Sequence, residues 1–226
     1  MRLLVVTALA ALGLLAASAQ AATNECRGIT SCIRVPGPWV LVPAGGKSQF
    51  LLSCPKGRAV VGGLDAQATS RGVRVGFDGR LGSPVSPGVT TTTYAFFRAV
   101  SVSKRNEVFQ PRLGCIPLQG GGGRSTVSAR IVTPVGPSLE LRSRIVIINP
   151  GELKFAKVSC KPNEKLVDSW QATAFRVKNP PSIGAGTLVH VTRTTSGKQV
   201  VATATATDGL SIDVHAIVQV GAVCAP

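Results

Sequence analysis

The chain has 226 residues and a formal charge of +15, from 25 lysines and arginines against 10 aspartates and glutamates. That balance makes the protein a cation, and an aromatic content of 4% argues against the exposed stacking rings on which lectins and single-strand binders rely. Hydrophobic residues make up 44% of the chain, enough for a substantial core at this length.

Residues 1–21 begin with a basic Arg2, run through an apolar stretch and end on small residues at Ala19 and Ala21. This is the pattern of a secretory signal peptide cleaved before Ala22. The stretch from Leu3 to Leu15 is shorter than the roughly 20 residues of a membrane helix. No second hydrophobic span follows, and no cysteine stands at the cleavage point to accept lipid. The expectation is a mature chain without a transmembrane anchor, secreted or held in the cell envelope. All six cysteines (Cys26, Cys32, Cys54, Cys115, Cys160 and Cys224) lie beyond the leader, and an even number in an oxidising compartment reads as disulfides.

Residues 22–34 form a short segment holding Cys26 and Cys32, and two similar segments follow, at 35–117 and 142–226. The first closes on VFQPRLGCIP (Val108 to Pro117) and the second on IVQVGAVCAP (Ile217 to Pro226), with a β-branched residue, glutamine, cysteine and proline in the same order. Further upstream, VPAGGKSQFLLSC ending at Cys54 matches IINPGELKFAKVSC ending at Cys160 in its turn, apolar strand and Ser-Cys. A tandem duplication explains both matches. It pairs Cys54 with Cys115 and Cys160 with Cys224, each bond bracketing one copy, and leaves Cys26 for Cys32. Closing loops of 61 and 64 residues removes on the order of 4 kcal/mol of unfolded-state entropy apiece.

Within the copies the periodicity is two. Val73, Val75 and Phe77 alternate with Arg74 and Gly76, and Thr203, Thr205 and Thr207 alternate with Ala202, Ala204 and Ala206. Such strands put one face on a core. Asp208-Gly209 suits a type I′ hairpin turn between β-prone runs. No useful helical window interrupts the glycine- and proline-punctuated strands. The expected fold is all-β: two tandem disulfide-stapled β-sandwich-like repeats, either separate or merged into one larger sandwich. Between them, 118–141 reads as a Gly-rich linker, Gly120 to Gly123, followed by an extra strand around Thr126 to Val132.

The run Cys54-Pro55-Lys56-Gly57-Arg58-Ala59-Val60-Val61-Gly62-Gly63 resembles a group of uncharacterised secreted bacterial proteins with CPxGxxVVGG repeats. The resemblance covers mainly the first copy, including RLGSPVSPGVTTT (Arg80 to Thr92). It implies a secreted β-repeat and carries no activity with it.

Enzyme signatures are missing. Gly45-Gly46-Lys47-Ser48 lacks the earlier glycine of a phosphate-binding loop, where Leu41 stands, and reads as a turn before a strand. There is no Gly-x-Ser-x-Gly, and His190 and His215 both fall inside strand patterns. Asp65, Asp78, Asp168, Asp208 and Asp213 are scattered, so no pair suggests a glycosidase and no cluster a calcium site. Zinc would want short paired spacings and more histidines. The expectation is therefore no cofactor and no metal. Trp39 and Trp170 read as core residues rather than ligand platforms. In YAFFRAV, alternation sets Tyr94 and Phe96 on one face and Phe97 on the other, so an exposed Phe97 would mark an interface.

The charge has two readings: a solvated outer face, or a site for polyanions such as acidic wall polymers. Arg71, Arg74, Arg80, Lys154, Lys157, Lys161 and Lys165 are the candidate polyanion-binding residues. Neither a recognised fold nor interleaved aromatics supports dedicated nucleic-acid recognition. The leading expectation is a non-enzymatic secreted or envelope-associated protein with a structural or binding role, whose partner is an anionic wall polymer or another envelope protein. The rivals are a secreted hydrolase acting on polysaccharide or peptide, and an adhesion module.

Overall fold

The structure, a computed structural model, describes residues 25–29, 31–56, 59–77, 93–117, 139–211 and 213–226. The leader at 1–21, Asp78, Arg80, and residues 118–138 of the linker with its strand at 126–132 lie outside the described residues, while the linker's last residues, Glu140 and Leu141, belong to the first strand of the second half.

The molecule is nearly all β, with thirteen strands and one short 3-10 turn at Ile183–Leu188 among the described residues. The first half contributes β1 (Ile33–Pro36), β2 (Trp39–Val42), β3 (Lys47–Ser53), β4 (Ala59–Ala68), β5 (Val73–Phe77), β6 (Tyr94–Ser101) and β7 (Glu107–Pro117). The second contributes β8 (Glu140–Ile148), β9 (Leu153–Ser159), β10 (Lys165–Arg176), β11 (Val189–Ser196), β12 (Gln199–Ala206) and β13 (His215–Ala225). Pairing follows the same order in both. β3-β6-β5 forms one three-stranded sheet and β9-β12-β11 another, while β4 pairs with β7 as β10 pairs with β13.

A single seven-stranded sheet crosses the boundary between the halves. β7 carries β4 on one side and β1 and β2 on the other, and β2 then meets β10 at Val40/Ala174 and Trp39/Phe175. From there the order is β10-β13-β8. Ala172, Ala174 and Ile217 of the second half share a core with Phe50, Phe97 and Phe109 of the first, so the halves are merged rather than separate.

Alternation along the strands sends successive residues to opposite faces of this sheet. On β13, Ala216, Val218, Val220 and Ala222 enter the core beneath β9-β12-β11, whereas Ile217 and Val223 look the other way, toward β3-β6-β5. The two small sheets thus lie on opposite faces of the long one. One face of sheet β3-β6-β5 is buried through Phe50 and Phe97, and the other is covered only at Leu51 and Phe96, which pack against Leu141, Trp170 and Val223, while Arg74, Arg98 and Val100 on that face stay exposed. Phe97 is 0% exposed, which corrects the idea of an exposed marker there: the interface it serves is internal. Trp39 and Trp170 are core residues, each 2% exposed.

The alternating Ala202, Ala204 and Ala206 point into the core as their period requires. The hairpin expected at Asp208-Gly209 does not form. β12 and β13 belong to different sheets and face each other across the core, and neither turn residue has positive φ. The tight hairpin joins β11 to β12 instead, where Ser196 pairs with Gln199 around Gly197 at φ 55°. Gly45, at φ 58°, and the bond from Gly46 N–H to Pro43 O (2.9 Å) make the turn that leads into β3.

All three disulfides join the cysteines that the paired segments predict: Cys26–Cys32, Cys54–Cys115 and Cys160–Cys224. Three such bonds point to an oxidising, extracytoplasmic setting. Among the described residues no helix is long and apolar enough to cross a membrane.

Candidate functional site

Where the halves meet, the side chain of Gln219 reaches from β13 across to β3. It accepts from Leu51 N–H (2.7 Å) and from Trp170 Nε1–H (3.1 Å), and its Nε2 donates to Leu51 O (2.9 Å). A fully buried amide thus completes the open edge of β3 as a neighbouring strand would. Gln110, its counterpart in VFQPRLGCIP, donates instead to Gly37 O (2.9 Å) and accepts from Arg112 (2.7 Å).

Beside this junction lies an open groove of about 840 Å³. Its walls are β8 from Leu141 to Ile145, the end of β9 from Lys157 to Ser159, and the end of β3 with the turn beyond it. Arg142 and Arg144 come from β8, Lys157 from β9 and Lys56 from the turn after Cys54. Thr93 and Tyr94, at the start of β6, supply hydroxyls. Among the described residues no aspartate, glutamate or histidine lines it.

The four cations are not equivalent. Arg142 is committed to a two-pronged pair with Glu164, with Nη2 donating to Oε1 at 2.8 Å and Nη1 to Oε2. Lys161 N–H donates to the same carboxylate at 2.8 Å. These donors, Arg142 foremost, pull the Glu164 pKa down to about 2 against the opposing effect of burial, and Glu164 in turn raises that of Arg142. Lys56, Arg144 and Lys157 have no ion-pair partner among the described residues. Burial, and after it the charge of Glu140, pushes the Tyr94 hydroxyl up, so it is a neutral hydrogen-bonding group at neutral pH.

Of the sequence-level candidates that lie among the described residues, only Lys157 reaches the groove. Arg71 and Arg74 lie exposed at the turn into β5 and on that strand, and Lys161 and Lys165 lie exposed in the β9–β10 turn and at the start of β10. Lys154 pairs with Glu152 at 3.3 Å. Lys56, Arg142 and Arg144 were missed by sequence reasoning. The alternating arginines of ELRSRIVII were the available signal, since period two sets both on one side of β8.

A second hollow of about 840 Å³ adjoins the groove, sharing Leu51, Ser53, Ser143 and Ile145 with it and reaching Phe50, Gln110, Ile217 and Gln219. Asp65, Asp168, Asp208 and Asp213 line neither hollow, and both histidines are exposed at strand starts. The cluster Cys160, Glu164 and Cys224 is the one grouping of metal-ligating types among the described residues, but two of its members are the sulfurs of one disulfide. A carboxylate fully engaged by Arg142 and Lys161 is no better a ligand.

Fold and site together define a disulfide-bonded all-β protein with a cationic groove between strand edges. No family model, curated protein or solved structure matches the chain.

Proposed function

We propose that this is a non-enzymatic secreted or envelope-associated protein, built from a duplicated β unit, that binds an anionic polymer in the groove between β3, β8 and β9. One observation carries the reading: Lys56, Arg144 and Lys157 converge from three separate segments on a groove with no carboxylate among its described lining residues. Cations drawn together in a concave site concentrate field and attract polyanions, whereas cations spread over a surface mainly keep it solvated. The leader-like residues 1–21 and the disulfides support an extracytoplasmic location. The hydrolase reading has less support, because neither hollow has an acid among its described lining residues.

The test is a salt titration of the mature protein on isolated cell envelope and on a defined acidic polymer, beside an unrelated protein of similar charge. A triple variant, Lys56→Gln, Arg144→Gln and Lys157→Gln, should flatten the dependence of log affinity on log salt by about two to three units, since each cation that neutralises a charge releases counterions. An Arg71→Gln, Arg74→Gln variant should lose much less. Equal losses from both variants, or retention no better than the control protein, would sink the groove as the binding site.

A further inference from the structure

In the first half of the chain both strand edges beside the equivalent position are occupied by the second half. β2 is flanked on its outer side by β10, through Val40/Ala174 and Trp39/Phe175. β3 has its outward backbone groups at Leu51 met by Gln219. The strands in the same places in the second half are β8 and β9. Among the described residues β8 pairs only with β13, and β9 only with β12. The groove runs between these two edges.

Alternate residues of an edge strand direct N–H and C=O away from their sheet, and an extended chain is the structure that satisfies a row of both. A polymer without amides would neutralise Arg144, Lys56 and Lys157 and leave that row to water. A second copy of this chain is a poor occupant, since it would bring a formal charge of +15 against its like and set the arginines of β8 against one another. We propose that the β8 edge takes an extended strand of a partner polypeptide with acidic side chains at alternate positions, which continues the long sheet as β10 does beside β2. Its carboxylates would share the face of Arg144 and meet Arg144 and Lys157 on the β9 side, while Lys56 stands on the β3 side of the groove. Period-two spacing follows because only alternate side chains of an added strand share a face. This inference rests on the reading of the groove as an anion site.

The experiment uses the full mature chain with its disulfides formed. The probes are an eleven-residue peptide alternating glutamate and valine, two versions of it N-methylated at every glutamate or at every valine amide, and inorganic polyphosphate. Calorimetry reads affinity, and amide hydrogen exchange reads β8. The expected result is that the parent peptide binds, that one methylated version is weakened about tenfold or more while the other is not, and that alternate β8 amides slow in the complex. Arg144→Gln should weaken the parent peptide severalfold. Equal binding of all three peptides, together with polyphosphate binding, would leave the anion site standing and overturn the strand. Failure of both peptide and polyphosphate to bind would overturn both. Slow exchange at every β8 amide in the free protein would show the edge already taken, by residues 118–138 or by a second copy, and would equally overturn the proposal.

Discussion

Gln219 shows how much one side chain can decide. Its amide serves the N–H and C=O of Leu51 and the indole N–H of Trp170, all in the interior. Gln219→Leu leaves these three groups without partners while conserving most of the volume, and should lower unfolding free energy by about 2–4 kcal/mol in a denaturant titration. A loss under half a kcal/mol would mean that the junction does not depend on it. Glu164 sets a pH dependence. Its folded pKa of about 2 lies below the ordinary glutamate value near 4.3, so its pairing stabilises the fold above that value and the contribution disappears as pH falls toward 2. The melting temperature of Glu164→Gln should therefore trail that of the parent at pH 7 and converge on it between about pH 4.5 and 2. A gap that stays constant across this window would count against the Arg142–Glu164 pair. Glu107 behaves similarly on a smaller scale: burial pushes its carboxyl up, but donors from Thr69, Ser103 and Arg105 outweigh that and hold it below the ordinary value. The recurrence of Gln110 and Gln219 was visible in the sequence. Their different partners were not, because a hydrogen bond from β13 to β3 spans 168 positions and exists only once the sheets are stacked.

Among the elements, the disulfides follow most directly from the sequence. Cys54–Cys115 ties the end of β3 to β7 and Cys160–Cys224 ties the end of β9 to β13, each linking a small sheet to the long one. Replacing either pair by serine should cost about 4 kcal/mol, against about 2 kcal/mol for Cys26–Cys32, whose loop spans 6 residues. Equal effects in denaturant titrations would show that loop length is not what governs their contribution. Strand periodicity was equally readable at β5 and β12. The connection after β12 was misread because Asp-Gly after an alternating run carries the same local signal whether the next strand pairs beside it or packs across the core. What settles the choice is the alanine face of β12, which is buried against Ala216 and Val218 and could not also lie flat beside β13. Edge strand β8 is the opposite case. Its arginines were legible as a pattern, but that it pairs only with β13 among the described residues is a property of the whole sheet.

At the scale of the molecule, the shared sheet and the shared core make the two halves one cooperative unit. Trp39 and Trp170 lie in different halves, on strands that join through β2 and β10. Tryptophan fluorescence and far-ultraviolet circular dichroism should therefore report a single coincident unfolding transition. Two separated transitions would mean that each half keeps its own core. The same scale carries the salt prediction, because the groove draws Lys56, Arg144 and Lys157 from both halves. The sequence by itself determined the all-β class, the period-two faces and the pairing of the cysteines, since each rests on short-range alternation or on the order of matching segments along the chain. Only the stacking of the sheets decided that Leu51 and Phe96 are covered on the second face of β3-β6-β5, that among the described residues β8 and β9 each pair along one edge, and that Lys56, Arg144 and Lys157 meet in a groove with no acid among its described lining residues. Stacking of sheets depends on contacts between residues about a hundred positions apart, and no local pattern encodes which face another sheet will cover.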